Sequence, residues 1–218
     1  MIRQTFLRLK GLVTPSQVWV IAGADHVRRI RRQLPELDRQ RIIGEPCARS
    51  TAPCVALAAF LMRDQPDAVM FVLPSDHAIR NRRQFQRSLK AAAQVALHHN
   101  ALVTFGITPT SAATGYGYLE LEEDAGRVDG VLYHRLRCFV EKPDQATAES
   151  YVAGGRFLWN SGMFAWKVST ILDSLRRHLP ETYRRLESVD WAHRKRAAAQ
   201  LARIYPTLPN ASVDYAIM

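Results

Sequence analysis

Apolar residues along this chain fall into short, nearly continuous runs, separated by stretches where they recur every three or four positions. The runs are Gln17–Ala22 (QVWVIA), Arg41–Ile43, Ala68–Leu73 and Ala101–Ile107, and each reads as a strand buried on both faces. The stretches between them read as helices. After Gly23, Asp25 is placed to cap a helix carrying Val27, Ile30 and Leu34. Thr51–Met62 follows with Pro53 in its first turn, where a missing N–H costs little, and Gln84–His98 is the third helix. Strand and helix in alternation predict a mixed α/β unit with a mostly parallel sheet flanked by helices.

From Thr108 the rhythm changes. Gly115–Tyr118 begins a strand, the acidic Glu122–Gly130 reads as a solvent-exposed turn, and Leu136–Val140 as another strand. Asp144–Ala153 is helical in pattern, Phe157–Val168 extended, and three arginine-rich helices follow. We therefore expect a β-rich insertion forming the far wall of a cleft. The halves divide at 1–107 and 108–218.

Charge changes the picture only modestly. The net charge is +10, and all but five of the 30 basic residues are arginine. Their clusters, such as Arg28-Arg29, Arg82-Arg83 and Arg176-Arg177, fall on separate helices that alternate with apolar positions. No stacking aromatics are interleaved with them and no nucleic-acid-binding motif is present, so solvated helix faces account for the charge and anionic small substrates gain from the field. No apolar run approaches the roughly 20 residues that span a bilayer. The N-terminus lacks the apolar centre of a secretory signal, and Cys47, Cys54 and Cys138 fit no paired metal spacing. A cytoplasmic protein with reduced thiols is expected.

The chemistry concentrates at strand ends. In Leu73–His77 (LPSDH) an apolar strand stops at Pro74 and delivers the carboxylate of Asp76 at its carboxyl end, the edge where α/β sheets bind ligands. A carboxylate there suits magnesium; it would equally suit an N-cap of the next helix. Four further stretches belong with it: Gly44–Pro53 (GEPCARSTAP), Thr114–Tyr118 (TGYGY), Phe139–Asp144 (FVEKPD), and Leu158–Phe164 (LWNSGMF) with Ser212–Met218 (SVDYAIM). Gly115 and Gly117 allow a ligand close to the backbone, and one of the intervening Tyr116 and Tyr118 is expected in the core. Glu45 could accept the adjacent N–H donors of a guanine edge.

Taken in order, these stretches closely resemble the sugar-nucleotide pyrophosphorylases, and among them the mannose-1-phosphate guanylyltransferases. The resemblance implies a Rossmann-like nucleotidyltransferase fold and transfer of a nucleotidyl group from GTP to mannose 1-phosphate, giving GDP-mannose and pyrophosphate. It implies Asp76 and Asp214 as the carboxylates that hold Mg2+, and Lys142 as the cation that meets the sugar phosphate. Glu141 and Asn160 would bind sugar hydroxyls, with Gly115 and Gly117 beside them, and Glu45, Arg49 and Thr51 would form the base site. Where the family pattern places Asn after that arginine, this chain has Ser50.

The same resemblance leads us to expect a glycine-rich loop, G-G-x-G-x-R-x-x-P, that cradles nucleotide phosphates. No such run occurs in these residues. The chain also opens without a leading strand and stops as an apolar segment begins, so it reads as a piece of a longer protein. Low or no turnover by the 218 residues alone is expected. The alternative is a degenerate, non-catalytic module that binds nucleotide or sugar phosphate and acts through a partner. An exposed sheet edge would favour association with a second copy.

Overall fold

The computed structural model describes residues 1–218, the side chain of Asp124 excepted. In chain order the elements are α1 (Ile2–Arg8), β1 (Val20–Gly23), α2 (Val27–Gln33), β2 (Ile42–Glu45), α3 (Thr51–Leu61), β3 (Val69–Val72), α4 (Arg82–His99) and β4 (Val103–Ile107). They continue with β5 (Gly117–Val128), β6 (Val131–Glu141), α5 (Gln145–Gly154), β7 (Phe157–Lys167), α6 (Val168–His178), α7 (Pro180–Glu187), α8 (Arg194–Ile204) and α9 (Val213–Ala216). The three arginine-rich helices after the extended segment are α6, α7 and α8. Among the described residues no helix is long and apolar enough to cross a membrane.

The strands form two sheets. β1 and β2 pair in parallel, with Val20 opposite Ile42 and Gly23 opposite Glu45. The five-stranded sheet runs β3-β7-β5-β6, with β4 also paired to β7, and every described pairing in it is antiparallel. This corrects the expectation of a mostly parallel sheet. β3 and β4 do run parallel to one another, but β7 returns between them and bonds to both. A strand buried on both faces has the same apolar signature whichever way its neighbour runs, so the pattern could not reveal the insertion.

β7 organises the core by alternation. Its Phe164 and Trp166 face α3, α6 and α7, together with Met70 of β3, in the largest apolar cluster. Met163, on the opposite face, packs on Phe85 and Leu89 of α4, with Phe71 and Phe105 alongside. A side-chain period of two thus gives one sheet two helical layers. A smaller cluster of Ile30, Leu34, Leu37 and Ile42 binds α2 to the β1-β2 pair, with Ile2 and Phe6 of α1 against it.

The acidic segment after Leu121 is strand rather than turn. β5 continues to Val128, and only Asp129-Gly130 turns the chain, with φ of 49° and 74°. Two successive positive φ values make this a two-residue hairpin turn whose twist matches the strands, for which Asp-Gly is a favoured sequence. Arg87 of α4 secures the turn, donating to the Asp129 carbonyl from Nε at 2.9 Å and from Nη2 at 2.6 Å.

Candidate active site

Asn160 and Asp214 meet. β7 carries Asn160, and Ser212 opens the short α9 that carries Asp214. The amide Nδ2 of Asn160 donates to Asp214 Oδ1 at 2.6 Å. Asn160 Oδ1 accepts from the Thr104 hydroxyl at 2.9 Å and from the Gly162 N–H at 3.1 Å. The second carboxylate oxygen of Asp214 accepts from the Ser212 hydroxyl at 2.8 Å. Both termini of the Asn160 amide are therefore used, which fixes its orientation.

A second group sits where β5 and β6 pair. Gly117 is directly opposite Glu141. A Cβ on Gly117 would lie 2.5 Å from Glu141 Oε2 and 2.7 Å from the Phe139 ring, so this position needs glycine for space rather than for φ. Lys142 follows with φ of 46°, in the left-handed region that costs an L-residue about 1–2 kcal/mol. Its N–H donates to the Tyr116 carbonyl at 3.2 Å, and its Nζ lies 3.5 Å from Glu141 Oε1. Gly115 has open space around it. As expected, one tyrosine of this stretch is core: Tyr118 is fully buried and donates to the Ala113 carbonyl at 2.9 Å. Tyr116 is exposed, edge-on to Trp159 at 5.0 Å.

Tyr215 joins the two groups. Its ring meets Phe139 edge-on at 6.2 Å, bringing the residue after Asp214 to the strand that ends in Glu141.

A third group, Glu45–Thr51, is strapped to the chain just before Asp214. The buried Tyr205 hydroxyl donates to a Glu45 carboxylate oxygen, and Arg49 donates to the Pro206 carbonyl. Thr51 Oγ1 accepts from the Val213 N–H at 2.9 Å, and the Ala52 N–H donates to the Ala211 carbonyl at 3.0 Å. Burial and the Glu45 carboxylate push the Tyr205 phenol up. The same two causes push the Cys54 thiol up to about 12. Ser50, which caps α3, holds φ 59° and ψ −165°, a region nearly exclusive to glycine, and makes no side-chain cap bond.

Asp76 stands apart from these groups. Its side chain is 78% exposed, and its nearest described ionic neighbour is His77 Nε2, 3.9 Å from Oδ1 and beyond hydrogen-bond reach. It does not cap α4, because Asn81 does so through Oδ1 and the Gln84 N–H. The strand end that delivers Asp76 nevertheless approaches β7 just past Asn160: a Cβ on Gly162 would sit 3.8 Å from Pro74. No three metal-ligating side chains converge among the described residues. Asp76 and Asp214 are hard oxygen donors, and Asp214 keeps spare lone pairs beyond its two bonds, so each carboxylate has the chemistry of a ligand for a hard cation, while no described contact joins the two.

Sequence reasoning missed Thr104, Ser212 and Tyr205. Ser212 had a faint signal in its Ser-x-Asp spacing; Thr104 and Tyr205 had none, because their roles arise from contacts across 56 and 160 residues.

Helices layered on an antiparallel sheet beside a parallel strand pair, with Glu45 and Glu141 at strand ends and Asn160 tied to Asp214, make a mixed α/β domain. The chain belongs to the nucleotidyl transferase family, whose profile, described as "Nucleotidyl transferase", matches residues 1–203. It is 38% identical over 225 residues to alginate biosynthesis protein AlgA of Pseudomonas fluorescens, covering 99% of this chain and 45% of that protein. It is 37% identical over 227 residues to mannose-1-phosphate guanylyltransferase RfbM of Salmonella typhimurium, covering 100% of this chain and 46% of that one. Among solved structures it resembles a mannose-1-phosphate geranyltransferase from Thermus thermophilus, with a TM-score of 0.82 and 32% identity over 99% of this chain and 59% of that one. The chain spans about half the length of these curated relatives. Nucleotidyl transferases of this family generally use a divalent metal.

Proposed function

We propose that this chain carries the nucleotidyl-transfer site of a mannose-1-phosphate guanylyltransferase. The reaction joins a phosphate oxygen of mannose 1-phosphate to the α-phosphorus of GTP and breaks the α–β bridge, releasing pyrophosphate and leaving GDP-mannose. The observation that carries the reading is the Asn160–Asp214 bond. It ties a residue suited to sugar hydroxyls to a carboxylate suited to a cation, within one network.

The side chains divide the work. Glu141 presents an acceptor and Asn160 its remaining amide N–H to the hydroxyls of a polyol, and Gly115 and Gly117 leave the backbone approachable. Lys142, a compact charge on a flexible stem, meets the sugar phosphate. Glu45 keeps one carboxylate oxygen beyond the Tyr205 bond for a guanine N–H, with Arg49 and Thr51 holding that loop in place. Asp76 and Asp214 would hold Mg2+, which when bound supplies charge neutralisation on phosphate oxygens. Positioning and fixed charge, rather than covalent chemistry, are what such a transfer asks of the protein.

The test is equilibrium binding of mannose 1-phosphate to the purified chain, with free mannose and glucose 1-phosphate as comparators, followed by addition of GTP and magnesium. Saturable, phosphate-dependent binding is expected. Pyrophosphate release on adding GTP would assign transfer to these residues; binding without release would assign a non-catalytic module. No binding of mannose 1-phosphate overturns the reading.

A further inference from the structure

Arg8 is the one charged side chain among the described residues whose exposure falls to 9%. A buried charge is costly unless compensated, usually by an opposite charge. Arg8 has no carboxylate partner among the described ion pairs. Its guanidinium donates to two neutral acceptors, the Thr5 hydroxyl at 3.2 Å and the His77 carbonyl at 2.7 Å, which leaves further N–H donors of its five.

Arg8 lines a cleft of about 370 Å³ between α1 and the segment that follows Asp76. Gln4 and Leu7 complete the α1 wall, and Arg80 and Arg82 stand opposite. None of the described residues that line it is Asp or Glu. The walls are braced: Arg82 donates to the Lys10 carbonyl, and Gln86 Nε2 donates to the Arg8 carbonyl at 2.6 Å. Three arginines and a glutamine line this cleft, a basic donor set with no acidic residue among its described lining. Planar guanidinium forks match phosphate oxygens in geometry as well as in sign.

We propose that this cleft is an anion site taking a small free phosphate species, inorganic phosphate or pyrophosphate, on Arg8, Arg80 and Arg82. It is distinct from the Glu141–Lys142 group, and occupancy is coupled to the loop bearing Asp76. The coupling is direct. Arg8 holds the carbonyl of His77, the residue after Asp76, and the Thr5 hydroxyl donates to the Ser75 carbonyl at 3.3 Å, the residue before it. An anion that draws on the Arg8 guanidinium acts on the same side chain that fixes this loop.

The experiment is calorimetric titration of sodium phosphate and sodium pyrophosphate into the full chain in chelator, so that divalent metal plays no part. The variants are Arg80→Ser, Arg8→Gln and Lys142→Met. Pyrophosphate is expected to bind more tightly than phosphate, since it can engage two guanidiniums; equal affinities would assign a single-phosphate site. Arg80→Ser is exposed and leaves the fold alone, and it should weaken pyrophosphate binding by about tenfold or more. Arg8→Gln should weaken it at least as much; if that variant unfolds, Arg80→Ser and Arg82→Ser decide. Lys142→Met should leave the affinity unchanged. Absence of binding to the wild-type chain, or wild-type affinity in Arg80→Ser, overturns the proposal. Loss in Lys142→Met alone also overturns it, by placing the anion at the sugar-phosphate group and leaving the proposed transfer function intact.

Discussion

Asn160 of β7 donates to Asp214 of α9 at 2.6 Å, joining residues 54 positions apart. Replacing Asn160 by Ala strands the Thr104 hydroxyl and the Gly162 N–H as well as freeing Asp214, so a stability loss of about 1–3 kcal/mol is expected. Asp214→Asn keeps an acceptor for Asn160 but removes the charge. Its melting temperature should stay within about 3 °C of wild type, while stabilisation by added magnesium or manganese should disappear. A wild-type metal response in Asp214→Asn would remove this carboxylate from the metal site.

Two glycines in one motif should behave oppositely. Gly117→Ala places a methyl group 2.5 Å from Glu141 Oε2 and 2.7 Å from the Phe139 ring, whereas Gly115→Ala meets nothing within 4 Å. Denaturant unfolding should show a loss of about 1–3 kcal/mol for Gly117→Ala and little change for Gly115→Ala. Equal effects would mean that Glu141 does not lie over Gly117.

Lys142 sits at φ 46° with its charge near Glu141. Glycine at this position relieves backbone strain of about 1 kcal/mol, offset in part by the greater freedom of the unfolded chain. The variant should therefore be no less stable than wild type and yet bind mannose 1-phosphate more weakly. Calorimetry and thermal melting together check it. Undiminished binding would remove Lys142 from the sugar-phosphate group.

Thiol chemistry reports on the Glu45 network. Cys54 is pushed from an ordinary 9.0 to about 12 by burial and then by the Glu45 carboxylate. Because the folded pKa is the higher one, the thiol's contribution to stability is complete below about 9 and is lost as pH rises towards 12. Alkylation of native Cys54 near pH 8 should lag behind that of an unfolded thiol by at least about a hundredfold. Mass spectrometry of iodoacetamide-treated protein measures this. Prompt labelling of Cys54 would contradict the packing around Tyr205.

Element identity was largely legible because the apolar period switches cleanly between strand and helix, as at Thr51–Leu61 and Arg82–His99. Sheet order was not. β7 bonds to β3 and β4, strands more than 50 residues earlier, and nothing in an apolar run names its neighbour. The Asp129-Gly130 turn was hidden because acidic residues before it looked like a loop, although the Asp-Gly pair itself was the true signal. Glu141, Asn160 and Asp214 were singled out as candidates through motif resemblance, and the structure joins Asn160 and Asp214 in one hydrogen-bond network. Their supports, Thr104 and Ser212, needed the fold.

The most direct test of the proposed sugar-phosphate site is a backbone and side-chain amide NMR titration of the chain with mannose 1-phosphate. The largest shifts are expected at the Gly115, Gly117 and Lys142 amides and the Asn160 side-chain NH2, all lost in Asn160→Ala and Glu141→Gln. Shifts confined to other regions, such as α2 or α8, would contradict the assignment of this site.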